Sequence, residues 1–247
     1  MQSAGIEPLS PKRWDVQPAG RTWLLAAAVV TVALWQLPGG NYVLYPFSIL
    51  ATWFHEMAHG VAALLLGGRF TKLLIFANGS GVAYYTGPLA WEPLGRAMVA
   101  AAGPMGPPVA GAALIVSSRN ARTASVSLKC IGAVLLLSSA LWVRSLFGLA
   151  AIPVMGLLIL AIGFRASSQV QRFAVQFLGV QACVSTYRQI DYLFSYSAGP
   201  LGLSDTAQMQ QALFLPYWMW GILISLFSVV ILAGSLREAY RPQRINI

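Results

Sequence analysis

The sequence predicts an all-α polytopic membrane protein with six to seven transmembrane helices and one small β-hairpin. Hydrophobic residues make up 57% of the chain and charged residues only 9%, whereas charged residues average about 25% in soluble domains. Apolar stretches of about 17 residues or more recur, and this length is needed to cross a hydrocarbon core of about 30 Å. A glycine-rich turn between two β-prone runs interrupts this pattern once and predicts the hairpin.

The apolar stretches divide the chain into a polar tail at 1–20, which we expect to be cytoplasmic, one integral membrane domain at 21–236 and a basic C-terminal tail at 237–247. No internal repeat or low-complexity linker separates further domains. We expect a multi-pass integral membrane protein, located in the inner membrane if the source is a bacterium. The predicted spans lie at about 22–38, 42–67, 97–117, 125–143, 146–164, 170–194 and 212–235.

The net charge is +9, and the basic residues responsible for it are distributed as the predicted topology requires and do not cluster in a patch. The basic residues stand at the ends of apolar segments, as the positive-inside rule places them. Nucleic acid is therefore not an expected partner, whereas the lipid bilayer with its anionic headgroups is. Cys130 and Cys183 lie in apolar surroundings and predict no disulfide framework. The sequence gives no indication of an oligomeric state.

Residues 69–90 contain the hairpin signal, with the turn at Asn78-Gly79-Ser80-Gly81. Two interpretations fit it. The hairpin caps the helical bundle, or its exposed strand edge pairs with an extended peptide by β-augmentation.

Residues 97–117 contain Gly103-Pro104-Met105-Gly106-Pro107-Pro108, which predicts either a kinked span or a re-entrant segment. A re-entrant segment leaves 14 of the 16 Lys and Arg on one side of the membrane, whereas a crossing segment divides them 8 to 8. The re-entrant topology also sends Asp191 to the face opposite His59. Both topologies stay open at this point.

The motif with the clearest chemistry is His55-Glu56-Met57-Ala58-His59, which contains the only two histidines of the chain. Side chains at positions i and i+4 of a helix share one face, so both imidazoles reach a single metal ion. Glu56, rotated by about 100°, is placed to act as a general base on water. A charge at the bilayer centre costs about 2.5–3.5 kcal/mol, and a divalent cation offsets that cost. The alternative is a polar contact between helices without a metal.

A catalytic zinc site takes three protein ligands and a water, so one ligand must come from elsewhere in the chain. Once the tails and Glu56 are set aside, the remaining candidates are Glu92, Asp191 and Asp205, with Asn78 and Cys183 as less usual donors. Ser204 and Asp205 also fit the cap of the last helix. Asp191 also fits an ion pair with Arg188.

The chain resembles the site-2-protease family of intramembrane zinc peptidases, in its small branch from bacteria, plants and fungi. Four stretches carry the resemblance, which covers roughly residues 45–235, and only the first is highly specific. They are His55-Glu56-Met57-Ala58-His59-Gly60, Ala77-Asn78-Gly79-Ser80-Gly81-Val82, Ala102-Gly103-Pro104 and Ser204-Asp205-Thr206.

The resemblance implies Zn²⁺ as cofactor, His55 and His59 as ligands and Glu56 as the base. It places Asp205 as the third ligand, with Asp191 in reserve. The turn residues Asn78 and Gly79 are the candidate substrate-binding residues.

One departure matters for activity. Where the branch usually has Ser-x-Tyr-Asp, this chain has Ser185-Thr186-Tyr187-Arg188. The implied function is a zinc endopeptidase that cleaves membrane-embedded or membrane-adjacent protein substrates. The alternative, which Arg188 favours, is an inactive membrane scaffold or chaperone of the same fold. A metal-binding transporter is less consistent with the sequence, because the inverted repeat typical of transporters is missing.

Overall fold

The computed structural model describes residues 29–34 and 36–241, without the side chains of Arg188 and Leu201. The predicted tail at 1–20, most of the span at 22–38 and residues 242–247 lie outside the described residues. Residues 29–34 are helical. The later helices are α1 (Gly40–Leu65), α2 (Leu94–Ser117), α3 (Ala121–Leu141), α4 (Leu146–Arg165), α5 (Ser168–Arg188), α6 (Ile190–Leu193), α7 (Asp205–Ala212) and α8 (Tyr217–Ala239).

Four of the described helices are long and apolar enough to cross a membrane, namely α2, α3, α4 and α8. The two other long helices, α1 and α5, carry more polar residues because they lie inside the bundle. Helix α1 buries His55, Glu56 and His59, and α5 buries Gln176 and Gln181. The predicted number of six to seven spans therefore stays a prediction, while the helical membrane architecture agrees with the sequence.

Some element boundaries differ from the prediction for local reasons. The predicted span 170–194 ends as a helix at Arg188, and the short helix α6 follows it. The last helix begins at Tyr217 rather than near 212, because Pro216 cannot continue a preceding helix and stands at the N-cap. It then extends to Ala239, three residues into the predicted C-terminal tail.

Helix α2 is continuous over 24 residues despite three internal prolines. At about 1.5 Å per residue it is about 36 Å long, enough to cross the hydrocarbon core, which favours the crossing alternative over the re-entrant one. Helix α2 runs antiparallel to α1, since a Cβ at Gly103 would meet His59 and His55, and a Cβ at Gly106 would meet Phe54 and Ala58. The small residues thus allow close contact between the two backbones.

The predicted hairpin is confirmed. Strand β1 (Arg69–Ile75) pairs antiparallel with β2 (Gly81–Thr86), and Gly79 in the turn has a φ of 88°, which favours glycine. The turn is held on α1 by two hydroxyl donors. Thr52 donates to the Gly79 carbonyl at 2.7 Å and Tyr45 donates to the Ala77 carbonyl at 2.6 Å. The hairpin therefore folds back along α1 to the level of the histidine motif.

Candidate metal centre

Two elements far apart in sequence bring three potential metal ligands together. His55 and His59 lie one turn apart on α1, and Asp205 begins α7. The Asp205 carboxylate has one oxygen 2.9 Å from His55 Nε2 and the other 3.3 Å from His59 Nε2. Ligand atoms around a tetrahedral ion with bonds of 2.0–2.2 Å are separated by about 3.3–3.6 Å. Both distances from Asp205 to the histidines are near this range, and the ligand atoms of all three side chains lie within 4.8 Å of one another.

The imidazole of His59 is oriented by a backbone carbonyl. Its Nδ1 lies 2.7 Å from the carbonyl oxygen of Val99 in α2. A carbonyl only accepts, so Nδ1 carries the proton and donates, and Nε2 keeps its lone pair for a metal. Such a second contact fixes the ring orientation of a histidine ligand.

The donor atoms around the centre are buried and not fully satisfied. His55, Glu56, His59 and Asp205 are between 2% and 9% exposed. The Nδ1 of His55 has no hydrogen-bond partner among the described residues. The Asp205 oxygen that lies 2.9 Å from His55 Nε2 forms no hydrogen bond of acceptable geometry with that nitrogen or with any other described group. A buried carboxylate oxygen without a donor is costly. A cation between the imidazoles and the carboxylate removes the cost on the Asp205 oxygen, so the residues present fit a divalent metal.

Gly103 of α2 forms one wall of this centre. A Cβ built on Gly103 would lie 2.1 Å from His59 Nε2 and 2.7 Å from His55 Nε2. Any side chain at this position would therefore occupy the space in front of both ligand atoms.

Glu56 lies between the centre and the hairpin. A Cβ on Gly81 would come within 2.8 Å of the Glu56 side chain, and the backbone of Ala83 interacts with the Glu56 carboxylate. The predicted base thus sits beside the metal ligands and directly against strand β2.

The outer edge of β1 forms hydrogen bonds with another segment of the chain. Leu73 donates to the Trp142 carbonyl at 2.8 Å and accepts from Arg144 at 2.9 Å. Ile75 bonds Ser145 through both its N–H and its carbonyl. The outer edge of β1 is therefore already paired with the segment before α4.

The edge of β2 faces the centre instead. Since Leu73 and Ile75 point their polar backbone groups away from β2, their partners Ala83 and Gly81 point theirs away from β1. Both partners line the cavity at the centre. The edge beside Glu56 is thus the one whose backbone groups are directed at the site.

The cavity at the centre has a volume of about 300 Å³. Its other wall comes from the segment around α6 and α7, where Tyr192, Ala198, Leu203 and Gln208 line it. The Tyr192 hydroxyl accepts from the backbone N–H of Asp205 at 3.2 Å. Tyr85 lines the cavity from β2, and burial raises the pKa of its hydroxyl, which therefore stays protonated.

Among the predicted candidates for the third ligand, only Asp205 joins the histidines. Asp191 is exposed on α6, and Glu92 pairs with Arg96 at 2.9 Å. The alternative role, a cap of the last helix, is wrong for that helix, because α8 has Pro216 at its N-cap. Ser204 instead caps the shorter α7, where its hydroxyl accepts from the Ala207 N–H at 3.2 Å. The two roles coexist because the serine caps the helix and leaves the aspartate free for the centre. The side chain of Arg188 is not described, so its ion pair with Asp191 stays a prediction.

Of the two candidate substrate-binding residues at the turn, one lines the cavity and the other does not. Gly79 lines the cavity. The Asn78 side chain instead accepts from the backbone and hydroxyl of Ser80, at 3.0 and 2.7 Å, and lies outside the lining. Cys183 packs near Gly111, away from the centre.

Sequence reasoning missed Val99, Tyr192 and the steric role of Gly103. The run of small residues around Gly103 signalled close helix packing, but not which side chains it would meet. Nothing local marked Val99 or Tyr192, because each acts through a contact with a distant element.

One of three comparisons with known proteins gives a match. No curated protein and no solved structure matches the chain at a significant level. The family model described as Peptidase M50B-like matches residues 24–235, which include both helices of the centre and the hairpin. This confirms the resemblance to site-2 proteases, and the chain belongs to the Peptidase M50B-like family.

Proposed function

We propose that the protein is a zinc-dependent intramembrane endopeptidase. The observation that carries this proposal is the convergence of His55, His59 and Asp205 with Glu56 beside them. A bound zinc ion would supply a Lewis acid that activates water and polarises a peptide carbonyl. His55, His59 and Asp205 would hold it.

Glu56 is the group that moves the proton. As general base it accepts a proton from the attacking water, and as general acid it passes that proton to the amine of the leaving peptide. Its position between the ligands and β2 supports both steps, because a peptide on the strand edge would present its carbonyl within reach of the same carboxylate.

The substrate class follows from the strand edge. A transmembrane helix hides its carbonyls in internal hydrogen bonds, so a substrate must be extended before it is cut. The backbone of Gly81 and the carbonyl of Ala83 offer hydrogen-bonding groups for such a segment by β-augmentation, while the Ala83 N–H faces the Glu56 carboxylate. We therefore propose membrane-embedded or membrane-adjacent protein segments as substrates, and the lipid bilayer as the setting.

The test compares wild type with Glu56→Gln and His55→Ala, purified in detergent. Zinc is measured by elemental analysis, and cleavage of single-span membrane segments with helix-breaking residues is followed by mass spectrometry. We expect one zinc per chain in wild type and in Glu56→Gln, none in His55→Ala, and cleavage by wild type alone. Cleavage that persists in Glu56→Gln contradicts the proposed mechanism.

The second candidate function is an inactive scaffold or chaperone, favoured by Arg188 where the resembled branch usually has aspartate. Asp205 supplies a carboxylate at the centre, which makes the loss at position 188 compatible with activity. Zinc bound by wild type without cleavage of any segment would favour the scaffold.

A further inference from the structure

A second groove, of about 960 Å³, lies over α2 between α3 and α8. Its walls combine small apolar residues with small hydroxyl residues, the former including Ala112, Ala113, Val126 and Ile231 and the latter Ser127 and Ser235. A Cβ on Gly234 of α8 would meet no atom within 4 Å, so the groove is open there. The three helices that form it are all long and apolar enough to cross a membrane.

The mouth of the groove is basic. It lies where α2 and α8 end and α3 begins. Arg119 and Arg241 both pair with Glu238, the latter at 3.1 Å. Arg122 is exposed, lines the groove and forms no ion pair with any described residue. Among the residues that the structure describes, three arginines and one glutamate lie at this mouth, an excess of two positive charges.

We propose that this groove binds an anionic phospholipid. An acyl chain lies along the apolar walls, and the phosphate lies at Arg122 and Arg119. Guanidinium groups bind phosphate oxygens through paired charge-assisted hydrogen bonds, and basic residues at helix ends attract anionic headgroups. A lipid fits better than a nucleic acid or a soluble protein, because the walls belong to helices that are long and apolar enough to cross a membrane.

The experiment measures lipid retention by native mass spectrometry of the full-length protein in detergent. The probes are phosphatidylglycerol and phosphatidylcholine with identical acyl chains. One arginine near the headgroups contributes about 1 kcal/mol, or about fivefold in affinity. We therefore expect wild type to retain phosphatidylglycerol preferentially, and Arg122→Gln to reduce the preference about fivefold. Arg165→Gln, an exposed arginine of α4 outside the groove, is the matched control and should keep it.

A second pair of variants tests the apolar part. Gly234→Leu fills the open wall and should lower retention of both lipids, whereas Val230→Phe enlarges an exposed position of the same helix and should not. Equal retention of the two lipids by wild type, or equal losses in a variant and its control, overturns the proposal. Retention of glycerol 3-phosphate that depends on Arg122 would identify a phosphate site without a lipid, and would also overturn it.

Discussion

Replacement of Gly103 by alanine tests the metal centre through a residue that ligates nothing. The added methyl would lie 2.1 Å from His59 Nε2 and 2.7 Å from His55 Nε2, while carbon atoms at rest stay about 3.5–4.0 Å from non-bonded atoms. Either the imidazole rings or α2 must move by about 1.4 Å or more to relieve this contact. The His59 ring cannot move away easily, because its Nδ1 donates a hydrogen bond to the Val99 carbonyl on α2, the helix that also carries Gly103.

A displacement of that size exceeds the roughly 0.2 Å tolerance of a zinc–ligand distance. Removal of a hydrogen-bond partner of a ligand lowers metal affinity about 10–100-fold. The loss of zinc affinity in Gly103→Ala should be at least as large. We expect Gly103→Ala to lose zinc to a chelator at correspondingly lower concentration, as measured by competition and elemental analysis, and to lose cleavage with it.

The control is Gly111→Ala on the same helix. Its methyl would also meet atoms at 2.6 Å, the Cys183 sulfur and the Gly179 carbonyl, but at the contact with α5. This variant should lose stability without a specific loss of zinc. Wild-type zinc affinity in Gly103→Ala, or the same loss in both variants, would show that the steric argument is wrong.

The other predictions concern the third ligand and the hairpin. Removal of a hydrogen-bond partner of a ligand lowers metal affinity about 10–100-fold, and Asp205→Asn should lower zinc affinity by more than that. Asp191→Asn should leave the zinc content unchanged. If elemental analysis shows the reverse, Asp191 and not Asp205 is the third ligand. Thr52→Val keeps the side-chain volume but removes the donor to Gly79, a bond worth about 0.5–1.5 kcal/mol, so cleavage should fall about two- to tenfold with zinc retained. Thr71→Val, which removes the hydroxyl donor to Tyr84 on the same hairpin, is the control; an equal fall there would refute a specific role for Thr52.

The features that the sequence predicted well depend on residues that lie close together in the sequence. The four-residue interval of His55 and His59 places both rings on one face of any helix, whatever surrounds it. The turn around Gly79 predicts a hairpin because only a glycine-rich turn suits that backbone. Apolar length predicts membrane helices for an equally local reason.

The choice between Asp205 and Asp191 could not be made in this way. A carboxylate becomes a ligand only through the packing of α7 against α2, and no local pattern encodes that contact. The same holds for the free edge of β2. Sequence patterning predicts both strands, but the pairing of Leu73 with residues 142–144 decides which edge remains available.

By itself, the sequence determined a helical membrane protein with an imidazole pair, an adjacent carboxylate and a hairpin. Each of these depends on residues a few positions apart. Only the tertiary structure decided that the Asp205 carboxylate lies beside the two imidazoles, that Gly103 forms a wall of the centre, and that the edge of β2 meets Glu56. Those depend on distant segments coming into contact, because a metal centre is defined by distances in space and the chain order does not specify them.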